Sequence, residues 1–146
     1  MSKSIPFEEI VLGEELGPLE YEADGSAVAQ YCRDWDDHNP LFTETSSLGG
    51  PMAPPAFMAG LTCFHLLRTK YDSSGTLDAK TEHENLKPLP VGGKMIVKGR
   101  IADKFIRRGL EYVVVESECY DDGGDLLRRS RDHVVLGVDR VTEKAA

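Results

Sequence analysis

Hydrophobic and polar positions divide the chain into a helical first half and an extended second half. Val28, Tyr31, Cys32 and Trp35 fall at helical spacing and form one apolar stripe. Asp24-Gly25-Ser26 precedes them as a start signal, with Ser26 as N-cap. Pro40 disfavours helix in the residue before it, so this helix should stop by Asn39. Residues 41–55, with Gly49-Gly50-Pro51 and Pro54-Pro55, read as an irregular loop. Pro55 suits the first turn of a second helix, from Ala56 to Tyr71. That segment is apolar almost all round, through Phe57, Met58, Leu61, Cys63, Phe64, Leu66 and Leu67. Such a helix has to be enclosed by something else.

The second half supplies the enclosure. Lys94 to Ile101 alternates Met95, Val97 and Gly99 against Ile96, Lys98 and Arg100. Leu110 to Tyr120 and Leu126 to Val138 also have strand character. Arg107-Arg108-Gly109 and Asp121-Asp122-Gly123-Gly124 lie between them as hairpin turns. Ala79 to Pro88 reads as a further extended piece pairing with this meander, and short strands are expected at Glu8 to Leu12 and Leu19 to Ala23. One long helix gripped by a curved antiparallel sheet is the expected arrangement, α+β by element order. The 146 residues read as a single domain, 1–146, with a core over about 7–138 and frayed ends at Met1 to Ile5 and Thr142 to Ala146.

Composition narrows the function classes. The apolar share of 40% and charged share of 29% are those of an ordinary globular domain. A net charge of −8 disfavours nucleic acid and anionic membrane as partners and, weakly, an acidic carrier protein. The three cysteines, Cys32, Cys63 and Cys119, are odd in number and without metal-ligand spacing, so they read as buried free thiols in a reducing compartment. No basic apolar leader and no membrane-length apolar run are present, and a cytoplasmic location is expected. No set of His and acidic residues suggests a metal, and no cofactor is implied.

Three motifs then occur in order. Asp36-Asp37-His38-Asn39-Pro40-Leu41-Phe42-Thr43-Glu44 resembles the hydratase signature of the MaoC-like hydratase/dehydratase family. Gly49-Gly50-Pro51-Met52-Ala53-Pro54-Pro55-Ala56-Phe57 is similar to the family's entry to its central helix, and Pro88-Leu89-Pro90-Val91-Gly92-Gly93 to its step into the long strands. The resemblance covers roughly residues 7 to 138 and implies a hotdog fold. It also implies an acyl thioester ligand, on coenzyme A or a carrier protein, and reversible hydration of a trans-2-enoyl group. In the family an Asp and a His hold the water as general base and acid, and a backbone N–H at the helix start polarises the thioester carbonyl.

Carried over residue by residue, Asp37 matches the signature Asp, and Asn39 and Pro40 its Asn-Pro. The signature His falls on Phe42, which transfers no proton, and the helix-start Gly falls on Pro55, which has no N–H. His38 could replace the lost imidazole or face solvent. The candidate catalytic residues are therefore Asp37 and His38, and the candidate substrate-binding residues Asn39, Phe42, Ala56 and Phe57. His65 reads as a satisfied core histidine, while His83 and His133 could face either way. Lys104, Arg107, Arg108 and Arg128, Arg129, Arg131 are the concentrated positive charge, for coenzyme A phosphates or as edge and turn charges.

Three readings stay open at this point. The chain is the degenerate subunit of an enoyl-CoA hydratase or hydroxyacyl dehydratase, completed by a catalytic MaoC-like partner. Or it is a self-sufficient homodimeric hydratase or thioesterase using Asp37. Or it is a non-enzymatic acyl-CoA-binding module. All three require a dimer, homomeric or heteromeric, because a single such unit leaves a sheet edge open.

Overall fold

The computed structural model describes residues 6–59, 63–72 and 74–138. Five strands form one antiparallel sheet in the order β1-β3-β4-β5-β2. They are β1 (Glu15–Glu22), β2 (Leu77–Asn85), β3 (Lys94–Arg107), β4 (Leu110–Asp121) and β5 (Leu126–Leu136). Helices α1 (Gly25–Asp34), α2 (Pro40–Thr43), α3 (Pro55–Ala59) and α4 (Cys63–Arg68) precede β2.

The alternation read in Lys94 to Ile101 is the inner face of β3: Met95, Val97 and Ile101 are fully buried. Across the register, Val97 faces Cys119 and Ile101 faces Val115, which carries the buried face onto β4. Val134 and Leu136 extend it onto β5. Leu66, Leu67, Met58 and Cys63 fill the space above this face from the helical side. The apolar segment expected as one helix from Ala56 to Tyr71 appears as α3 and α4. Gly60, Leu61 and Thr62 between them lie outside the described residues, as do the expected frayed ends Met1 to Ile5 and Thr142 to Ala146. α4 packs on β1, β3 and β4. Its Leu66 reaches the sheet where Gly99 has no side chain: a Cβ there would stand 2.8 Å from Leu66 Cδ1.

Several expectations require correction. Glu8 to Leu12 is not a strand: Phe7–Glu9 is a 3-10 turn, and Val11 and Leu12 are 60% and 55% exposed. The chain reverses at Gly13, whose left-handed φ of +80° ends any extended run before β1. The cap of α1 is Asp24 and not Ser26: the Asp24 carboxylate accepts from Ala27 N, and Ser26 Oγ donates to the same carboxylate. Trp35 does not join the buried stripe of Val28 and Cys32, because it lies just past the helix end and is 71% exposed. The stretch 41–55 is not wholly irregular, since Asn39 and Pro40 open α2, with Asn39 Oδ1 accepting from Leu41 N at 3.1 Å.

Candidate functional site

The end of α1 and the start of α2 present the signature residues. Asp36 takes a left-handed backbone (φ 51°) that turns the chain between the two helices. The Asp37 carboxylate accepts from Asn39 N at 3.0 Å, an Asx turn, and Asn39 in turn caps α2. Asp37 is half-buried, and its charge acts on Tyr31 and Cys32: burial raises both groups above their ordinary values, and the carboxylate adds to the rise. His38 pairs with Asp36, Nε2 to Oδ1 at 2.6 Å, and both side chains are more than four-fifths exposed. Of the two alternatives for His38, replacing the lost imidazole beside Asp37 or facing solvent, the geometry matches the second, with Asp36 as its surface partner. Phe42 and Phe57 are half-buried against the core, Phe57 meeting Tyr31 edge-on with centroids 5.7 Å apart.

A cavity of about 680 Å³ opens beside these residues. Tyr31 of α1 and Trp35 just past its end form one wall, and Ala56, Cys63 and Phe64 of the helical segment form the roof. Asp78, Thr81 and His83 of β2 and Asp132 of β5 form the remaining wall. Of the six residues singled out from the signature and helix start, Ala56 alone lines it, and Phe42 and Phe57 pack against the core.

Sequence reasoning missed the polar wall. β5 alternates Arg128, Ser130 and Asp132 on its inner face, all three buried. Their cross-strand partners on β2 are Asn85, His83 and Thr81, in that order. Thr81 Oγ1 stands 2.8 Å from Asp78 Oδ2 and 2.9 Å from Asp132 Oδ1, two acceptors for its one proton, while Asp132 Oδ2 has no hydrogen-bond partner among the described residues. Arg128 Nη2 donates to His83 Nδ1. Ser117 and Ser130 share a hydrogen bond one pair inward.

Burial raises the Asp132 carboxyl above its ordinary value, against the lowering effect of the Thr81 hydroxyl. The folded chain therefore holds this proton more tightly than the unfolded chain does. The associated stability is fully present below the unfolded pKa and is lost as pH rises through the raised one. Asp132→Asn, which keeps an acceptor for Thr81 but never ionises, is expected to be more stable than the parent on the alkaline side. That advantage should shrink on the acid side. Urea unfolding at about pH 4 and about pH 8 measures it, and an equal difference at both would show that the carboxylate carries no burial penalty.

The positive clusters divide. Arg128 points inward, Arg129 pairs with Glu84 at 3.2 Å, and Arg131 pairs with Glu116. Lys104 lies over the Phe7 ring at 4.9 Å and donates to Phe7 O. His65 accepts or donates at Nδ1 to the Tyr21 hydroxyl at 2.8 Å. Cys32, Cys63 and Cys119 are buried free thiols, with burial pushing Cys119 up to about 11. No helix among the described residues is long and apolar enough to cross a membrane.

A helical segment packed on a five-stranded antiparallel sheet defines a hotdog fold. The family model described as FAS1-like, dehydratase domain region, matches residues 11–129, and the chain belongs to that family. The MaoC-like resemblance and the hotdog fold read from the sequence hold. Among solved structures the chain is similar to the R-hydratase PhaJ1 from Pseudomonas aeruginosa, at 14% identity and a TM-score of 0.76, covering 90% of this chain and 84% of that one. It is also similar to a chain of the HadBC (3R-hydroxyacyl-ACP dehydratase) complex from Mycobacterium tuberculosis, at 20% identity and a TM-score of 0.69, covering 87% and 97%. A chain of the ChsH1–ChsH2 complex from the same organism matches at 12% identity and a TM-score of 0.69, covering 87% and 98%. No curated protein sequence matches.

Proposed function

We propose that this chain is a subunit of an enoyl thioester hydratase or 3-hydroxyacyl thioester dehydratase. Its own signature site is degenerate, and a partner chain supplies the catalytic Asp and His. The observation that carries this is the state of the signature. Position 42 is Phe, the nearest imidazole in sequence, His38, is paired with Asp36 in solvent, and Asp37 is tied into an Asx turn. Hydration needs a base to take a proton from water as its oxygen joins C3, and an acid to deliver a proton to C2. In this reading the partner holds that pair, and this chain shapes the acyl cavity. Pro54 and Pro55 offer no N–H to a thioester oxygen, so Ala56 N–H is the first at the helix start that could. Similarity to chains of the two-component HadBC and ChsH1–ChsH2 complexes supports a heteromeric arrangement.

The purified chain alone is expected to leave crotonyl-CoA unchanged, followed by the enoyl-thioester absorbance. Turnover by the pure chain that disappears in Asp37→Ala would sink the degenerate-subunit reading. It would favour a homodimeric enzyme working from Asp37.

A further inference from the structure

The face of the sheet turned away from the helices carries a second cavity, of about 350 Å³. Register assigns its members to that face. On β5, His133 alternates with the inward Asp132, and on β4, Tyr112 alternates with the inward Val113. Phe105 lies opposite Tyr112, Arg107 opposite Leu110 and Lys80 opposite His133. β2 shifts register between Asp78 and Lys80, so Asp78 and Thr81 line the first cavity while Ala79 and Lys80 line this one. The two cavities thus stand on opposite faces of one sheet.

Three rings make up the apolar part of the second cavity. Phe105 and Tyr112 stack with centroids 5.0 Å apart and 9° between their planes, and His133 meets Phe105 edge-on at 6.5 Å. Lys80, Arg107 and Arg108 surround them, with no carboxylate among the described residues that line the pocket, although the chain as a whole carries a net charge of −8. Lys80 is paired with Glu82 at 3.0 Å. Arginine ion pairs involve Arg100, Arg129 and Arg131, whereas Arg107 and Arg108 are exposed and make none among the described residues. Arg108 and Gly109 form a two-residue hairpin turn with both backbones left-handed, φ 52° and 76°. Such a turn favours Asn or Asp at its first position. The arginine is held there against that preference, and it adds a second guanidinium to the pocket.

Aromatic rings accept a flat base on their faces, and guanidinium forks match phosphate oxygens. We propose that this pocket is a nucleotide-binding site, with the base against Phe105 and Tyr112 and the phosphates on Arg107 and Arg108. Its volume lies at the small end of ligand pockets, about 300–1,000 Å³, which suits a single nucleotide. The ligand is a free nucleotide. The sheet stands between this pocket and the first cavity, so a thioester held in that cavity would reach it only round the edge of β2. The site does not rest on the acyl-thioester reading.

The protein in its native assembly is titrated calorimetrically with ADP, adenosine and pyrophosphate. ADP is expected to bind, and adenosine and pyrophosphate to bind about tenfold or more weaker, because each lacks half of the contacts. Arg108→Asn removes a guanidinium and supplies the residue that the turn favours. It should weaken ADP about tenfold while Tm stays the same or rises, which a merely misfolded variant cannot do. Tyr112→Leu should weaken ADP and adenosine but not pyrophosphate. Butyryl-CoA, which carries an adenine nucleotide on its thioester, should bind Arg108→Asn and the parent alike. No binding of ADP, or ADP binding unchanged in Arg108→Asn, overturns the site. Pyrophosphate binding as tightly as ADP also overturns it, leaving a cluster of cations with no use for the rings. Equal weakening of ADP and butyryl-CoA in Arg108→Asn overturns the separate site by assigning the pocket to the coenzyme.

Discussion

Gly99→Val is expected to destabilise the chain by about 2–3 kcal/mol, the upper range for forcing extra methyl groups into a packed core. A Cβ at this position would lie 2.8 Å from Leu66 Cδ1 and 3.0 Å from the carbonyl oxygen of Glu116. The Leu66 side chain has some freedom to move. The Glu116 carbonyl belongs to the neighbouring strand β4 and does not. Valine's preference for strands, at most about 1 kcal/mol, offsets only part of the clash. Leu66 is fully buried, so Leu66→Ala alone should cost about 2–5 kcal/mol. In the double variant the shortened side chain makes room for the new methyl groups. Its loss in urea unfolding should fall short of the sum of the two singles by about 1 kcal/mol or more. Additive losses would mean that Gly99 does not set the approach of the helix to the sheet. The contact matters for function because it holds α4 over β1, β3 and β4. The inner face of β5 and β2 is thereby left for the cavity.

The sheet was legible because its strands carry a phase. In Lys94 to Ile101 one alternating set is free of polar side chains and the other is charged except at Ile96, and the Gly-containing turns at 107–109 and 121–124 mark where each strand reverses. The polar wall was not legible for the converse reason. Arg128-Arg129-Ser130-Arg131-Asp132 is polar at both phases, so a period of two cannot say which set faces inward. Only the register settles it, through Cys119 opposite Arg128 and Val115 opposite Asp132. Pairing assigned His83 its face in the same way. In the signature, Asn39-Pro40 reads as a stop for α1 and as family motif, while the same two residues serve as cap and first turn of the one-turn α2, a double role that the sequence pattern does not separate. The loss of the signature His at position 42 needed no structure. That His38 turns to Asp36 did, because neighbouring residues are brought together or apart by backbone angles such as the left-handed Asp36.

The amides of β2 are expected to exchange with solvent as slowly as those of a central strand. In one chain β2 pairs only with β5, its other edge is open, and all nine of its residues are exposed. Its Lys80, Glu82 and Glu84 are the charges that keep an open edge from indiscriminate pairing. The inner face of the same strand tells a different story. Thr81 and His83 sit at a cavity wall whose Asp132 is already desolvated, and a partner laid along β2 would close that side. Continuing the sheet through β2 pairs the open edge and encloses the cavity in one step. The expected result is a dimer in sedimentation, with β2 amides protected about a thousandfold or more, equivalent to about 4 kcal/mol against local opening. That protection should fall on dilution as the dimer dissociates. A stable monomer with fast exchange throughout β2 would count against every subunit reading of this chain. Where the dimer forms, its partner decides the chemistry. A copy of this chain brings a second Phe42, so the assembly should remain inert toward crotonyl-CoA. A chain that keeps the Asp and His of the signature brings both proton-transfer groups, and hydration should rise about a hundredfold or more when the two are mixed.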